Sequence, residues 1–162
     1  MASSSADLGP ARRIVLLVPA ALLAGAYVSQ YGFGLFPCEM CWWQRYPHFA
    51  AVAFALLGFA LPKSRWPIGL AALGIAISGL IGLFHAGVEY RWWQGLTACT
   101  SAFAPGGGDP LEAIMKGTPM VSCDQPQWTM LGISLAGFNF LFSLAGALVV
   151  TLLLSRSKRR MP

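Results

Sequence analysis

The chain has 162 residues, 56% hydrophobic and 10% charged, with a mean hydropathy of +0.61. A soluble domain carries about 25% charged residues, so the deficit points to a bilayer and leaves no room for a separate globular domain. The net charge of +5 is not a nucleic-acid signature, because no basic run is interleaved with aromatics outside the apolar stretches.

A spanning helix needs roughly 20 apolar residues, and four such runs are predicted, at about 14–35, 42–61, 68–89 and 129–154. The first follows Arg12 and Arg13 and contains Pro19, which membrane helices tolerate when neighbours satisfy the freed carbonyl. Its apolar character continues past Ala24-Gly25-Ala26 to Phe36, which suits an anchor better than a cleavable leader. Gly32, Gly34 and Pro37 then lead into Cys38 and Cys41, within PCEMCWWQRYPH. Span two starts at once, with Pro47 either in its first turn or at a kink. Pro62 and Pro67 bracket a short turn holding Lys63 and Arg65.

Span three places Gly74, Ser78, Gly82 and Ala86 at four-residue intervals, a stripe that lets helix backbones approach closely. The segment at about 90–128 is the only long one outside the spans. Cys99 precedes its glycine run, Gly106 to Gly108, and Cys123 follows a short amphipathic helix predicted around Leu111, Ile114 and Met115. Span four pairs Gly132 with Ala136 as small packing residues and carries Asn139 near mid-membrane, where it is expected to hydrogen-bond another helix.

Four crossings put eight of the eleven basic residues on one side: Arg12, Arg13, Lys63, Arg65, Arg156, Lys158, Arg159 and Arg160. The positive-inside rule then sets both termini in the cytoplasm and all four cysteines on the outer face, the periplasm of a bacterial host, where disulfides persist. Trp42, Trp43, Tyr46, Tyr90, Trp92, Trp93 and Trp128 gather at the outer interface and Trp66 at the inner one, the depth that amphipathic rings prefer. The predicted fold is an all-α four-helix transmembrane bundle forming a single domain over 1–162.

A Cys-x-x-Cys close to a helix start holds a reactive thiolate. At a membrane edge it can meet soluble thiols on one side and a lipid-soluble redox carrier on the other, and Cys99 with Cys123 completes the arithmetic of a dithiol relay. Arg45 follows Cys41 by four residues, one helical turn along; it is expected to lower the thiol pKa and to hydrogen-bond a quinone oxygen. His85 has Glu89 one turn on, expected to orient the imidazole, and His48 is a weaker candidate. Trp42 and Trp43 could wall a quinone pocket. A zinc site is disfavoured, since the second cysteine pair is split by 23 residues and no histidine follows at ligand spacing.

PCEMCWWQR at 37–45, HAGVEY at 85–90 with the run on to Cys99, and Cys123 before the last span resemble the DsbB family, bacterial inner-membrane oxidases that regenerate the periplasmic disulfide donor DsbA. The resemblance covers nearly the whole chain. It implies that Cys38 and Cys41 adjoin a ubiquinone or menaquinone, with Cys41 the sulfur that reacts with it. It implies too that Cys99 and Cys123 oxidise a DsbA-like thioredoxin-fold partner, through a mixed disulfide at Cys99. Arg45 matches the family's quinone-contacting arginine by its offset, and His85 matches its histidine; Gln44 stands where the family has an acid. Three alternatives stay open: a vitamin K epoxide reductase-like enzyme, a cysteine-based metal transporter, and a narrow-substrate relative serving a single exported protein. The late position of the Cys-x-x-Cys in the first, and the one-sided cysteines against the second, disfavour those two.

Overall fold

In the computed structural model of the chain, residues 8–96 and 122–159 are described. They form four helices and one small hairpin: α1 (Gly9–Gly32), α2 (Glu39–Ala60), α3 (Trp66–Glu89), β1 (Thr129–Met130), β2 (Ile133–Ser134) and α4 (Leu135–Arg159). Pro10 and Pro67 sit in the first turns of α1 and α3, where a missing N–H costs nothing and the fixed φ favours the helix. α1, α3 and α4 are long and apolar enough to cross a membrane. α2 is nearly as long but carries Cys41, Gln44, Arg45 and His48 at helical spacing along one face, which lowers its apolarity. Gln44, Arg45 and His48 are all buried against neighbouring helices.

α3 packs most extensively on α2 and α4, while α1 touches both and meets α3 least. The helices therefore stand in the ring order α1–α2–α3–α4. The stripe on α3 is a packing face, as its spacing predicts: a Cβ at Gly74 would lie 2.9 Å from the Pro47 carbonyl oxygen, and one at Gly82 would lie 2.9 Å from that of Ala136. At one end of the bundle the Arg12 guanidinium donates to the Pro62 carbonyl, and Arg65 donates to the Ser157 hydroxyl at 2.6 Å. These bonds gather the start of α1, the α2–α3 turn and the end of α4 beside an apolar core of Leu8, Val15, Ile68, Ile75 and Val150. A second buried cluster, Cys38, Met40, Val88 and Cys123, lies apart from it.

Three boundaries differ from the sequence reading. α1 stops at Gly32, and the chain runs irregularly to Cys38. α2 begins at Glu39, so Pro47 is well inside it rather than in its first turn. The first six residues of the predicted fourth span are not helical: Thr129 pairs with Ser134 and Met130 with Ile133 across a two-residue turn. Leu131 (φ +53°) and Gly132 (φ +77°) form that turn, and the primed turns that suit hairpin twist require such positive values. Gly132 is thus a turn residue, not a packing partner of Ala136.

α3 ends as predicted, at Glu89, in a Schellman motif: Trp92 N–H reaches the Gly87 carbonyl and Arg91 N–H that of Val88. Arg91 takes the left-handed position at φ +60°. The predicted loop helix, the glycine run and Cys99 lie outside the described residues.

Candidate functional site

Cys38 is the N-cap of α2. Its backbone is extended and its sulfur accepts the Cys41 backbone N–H at 3.2 Å, the position usually filled by a Ser or Asp oxygen. This cap brings the two sulfurs to 2.9 Å. Cys38 is buried and Cys41 half-buried, and Cys123 packs against Cys38. The pair is electrostatically unequal. Hydrogen bonding with Cys123 and Cys41, together with burial, pushes the Cys38 thiol far up. The Cys41 thiol is lowered, first by the side-chain hydrogen bond from Cys38 and further by a backbone hydrogen bond from Cys38, which together outweigh the opposing effect of burial. Arg45 is expected from the sequence to act on the Cys41 thiol. Arg45 turns to α1 instead, donating to Gln30 Oε1 at 2.7 Å and the Ala26 carbonyl at 3.3 Å, with Tyr27 and Trp42 rings each 4.9 Å from the guanidinium carbon.

His85 reaches the pair from α3, with Nε2 3.6 Å from Cys38 Sγ. Glu89 Oε1 is 3.8 Å from the same nitrogen, too long for the orienting hydrogen bond that the i, i+4 spacing suggested. Gln44 does that work, with its Nε2 2.8 Å from His85 Nδ1. Asn139 joins the helices as expected: Nδ2 donates to Gln44 Oε1 at 2.8 Å and to the Ser78 carbonyl at 3.1 Å, and Oδ1 lies 2.9 Å from His48 Nε2. His48 is therefore buried inside the bundle and not at its polar rim. Gln44 is the member that sequence reasoning missed, along with the pairing of Asn139 with His48. A signal existed in α2, since 41, 44, 45 and 48 follow the i, i+3, i+4, i+7 pattern of one helix face.

Cys38, Cys41, Arg45, His48, His85, Glu89 and Asn139 all line one cavity of about 240 Å³, walled on its apolar side by Leu22, Leu23, Phe138 and Phe142 of α1 and α4. An apolar cleft with a few convergent polar groups is the usual build of a small-molecule site. Trp42 and Trp43, expected as pocket walls, are not part of the lining; Trp128 and Phe36 are. Cys38, Cys41 and His85 also have ligand atoms within 4.8 Å of one another. Their fit to zinc is poor, because two thiolates on one tetrahedral ion stand about 3.7 Å apart, and because the Gln44 amide occupies Nδ1 in a way that puts the ring proton on Nε2.

The family model for Disulfide bond formation protein DsbB matches residues 10–153. Disulfide bond formation protein B of Polaromonas sp. is 33% identical, the match covering 92% of this chain and 94% of that one. The protein of the same name from Acidovorax sp. is 30% identical over 96% and 94%. Uncharacterized protein RP370 of Rickettsia prowazekii is 23% identical over 87% and 84%. No solved structure matches. With the family model spanning all four helices that frame the cysteine site, the chain belongs to the DsbB family of disulfide bond formation proteins.

Proposed function

We propose that the chain is a disulfide-generating thiol oxidase of the bacterial inner membrane, reoxidising a periplasmic DsbA-like thioredoxin-fold protein and passing the electrons to a membrane quinone, ubiquinone or menaquinone. Family membership supports the protein-disulfide oxidoreductase activity. The observation that carries the rest is the meeting of three sulfurs at a cavity: Cys41 against Cys38, Cys38 against Cys123, and both members of the Cys-x-x-Cys in the lining.

A partner thiolate attacks the Cys99–Cys123 disulfide at Cys99, and the partner's second thiolate releases Cys99, so the partner departs oxidised with Cys99 and Cys123 reduced. The Cys123 thiolate attacks Cys38 of the Cys38–Cys41 disulfide, for which its packing against Cys38 is the required contact, and Cys41 leaves as a thiolate. Cys99 then displaces Cys38 from Cys123, restoring its own disulfide and leaving Cys38 and Cys41 as the reduced pair. A bound quinone supplies the sink for two electrons and two protons. Arg45, on the cavity wall and braced from α1, would hold its oxygen, and Phe138 and Phe142 would pack on its ring. Exchange alone could not reoxidise a DsbA-like partner from glutathione, because that partner sits near about −120 mV.

The test uses the purified full chain, reduced DsbA and a soluble quinone, with quinone absorbance followed for wild type, Cys41→Ser and Cys99→Ser. Wild type consumes quinone and both variants stop turning over. No consumption by wild type would sink the proposal, and tight binding of Zn²⁺ or Hg²⁺ without turnover would favour the metal reading.

A further inference from the structure

Two backbone carbonyls settle the orientation of two buried amides independently. A carbonyl oxygen only accepts, so the Asn139 atom 3.1 Å from the Ser78 carbonyl is its nitrogen, and the Gln44 atom facing that nitrogen at 2.8 Å is oxygen. The other Gln44 atom lies 3.2 Å from the Met40 carbonyl and must be nitrogen. Both lines agree. The Gln44 nitrogen then donates to His85 Nδ1 at 2.8 Å, which makes Nδ1 the bare ring nitrogen. In the neutral imidazole the proton is on Nε2, the atom that faces Cys38 Sγ.

From these bonds we infer that Gln44 and Asn139 are positioning residues: they fix the direction of a hydrogen-bond chain that runs Asn139, Gln44, His85, Cys38, every member donating to the next. The inference rests on the reading of Cys41 as the sulfur that reacts at the cavity. Its consequence is a division of labour between two otherwise similar cysteines. A His85 with its lone pair on Nε2 would take the Cys38 proton and leave two sulfurs competing for one charge. With Nε2 already protonated, neutral His85 cannot take that proton and faces Cys38 only as a donor. Chains of aligned donors polarise one another, so an amide on α4, three bonds from Cys38, contributes to where the negative charge resides.

The decisive measurement is the side-chain ¹⁵N spectrum of His85 in the reduced full-length protein in nanodiscs, with neither quinone nor partner present, so the outcome is independent of turnover. Wild type shows a protonated, pyrrole-type Nε2 and a bare Nδ1. Gln44→Leu, close in size, loses the preference and gives both tautomers. In the same samples, iodoacetamide labelling resolved by mass spectrometry strongly favours Cys41 over Cys38 in wild type. In Gln44→Leu the ratio falls about tenfold, the effect of one charge-assisted hydrogen bond. A wild-type ring protonated at Nδ1 overturns the inference even if the enzyme is active and even if the variant does not fold. An unchanged tautomer and ratio in Gln44→Leu overturns it equally.

Discussion

Replacing Asn139 by leucine removes a side chain that touches five helix-borne polar groups in the bundle interior. Its amide nitrogen serves Gln44 Oε1, the Ser78 carbonyl and the Ser78 hydroxyl, and its oxygen receives His48 Nε2 and the Ser143 hydroxyl. Not all of these are lost outright. Ser143 can turn back onto its own helix, and the Ser78 hydroxyl still donates to the Gln44 carbonyl at 2.8 Å. Two groups are left stranded, Gln44 Oε1 and His48 N–H. At about 1–2 kcal/mol for each unsatisfied buried group, Asn139→Leu destabilises the bundle by about 2–4 kcal/mol. The average for interhelical hydrogen bonds in membrane proteins, about 0.6 kcal/mol each, sets a floor beneath that range of about 1 kcal/mol for two bonds. Reversible unfolding in mixed micelles of increasing denaturing detergent measures the difference directly. A change under about 0.5 kcal/mol would refute the reasoning, since it would mean that the two stranded groups find new partners at no cost.

Three further outcomes follow from local geometry. In the reduced protein, alkylation of Cys41 reaches half its maximal rate below the ordinary thiol value of 9.0; removing the Cys38 donor in Cys38→Ala moves that midpoint upward, and a midpoint that stays put would contradict the assignment. Arg91→Gly and Leu131→Asn each relieve a left-handed backbone position and raise stability by about 1 kcal/mol, read as a shift in the same unfolding midpoint. A Cβ at Gly87 would lie 2.1 Å from the Trp93 ring, which stacks on Phe84 and donates to its carbonyl. Gly87→Ala therefore costs about 1–3 kcal/mol, and in a Trp93→Ala background the same change is close to neutral; equal costs in both backgrounds would show that the ring is not the obstacle.

The four helices were legible because long apolar runs broken by Pro and bounded by Arg and Lys have few other solutions in a chain so poor in charge. The mistaken stretch is instructive. Residues 129–134 are as apolar as the helix that follows, so hydropathy merges them; only β-branched Thr129 and Ile133 around the Leu131-Gly132 pair signal a hairpin. At the site, Cys38, Cys41, Arg45 and His85 announce themselves by residue type and spacing. The Gln44–His85 and Asn139–Gln44 bonds join residues 41 and 95 positions apart, and no periodicity within one helix encodes which turn of a neighbour it will face. Glu89 was the natural choice to orient His85 on local spacing alone, and an interhelical amide displaced it.

The Tyr90 hydroxyl at the end of α3 donates to the Gly132 carbonyl at 2.7 Å and accepts from the Ser134 N–H at 2.9 Å. One oxygen atom thus staples the end of α3 to the hairpin that precedes α4. The cost of closing the segment between them is met by the bundle's own rim, independently of how many residues it contains. Lengthening such a loop adds only about 0.6 kcal/mol per doubling. Residues inserted between 97 and 121 are therefore expected to cost the bundle little, while Cys123 keeps its place beside Cys38.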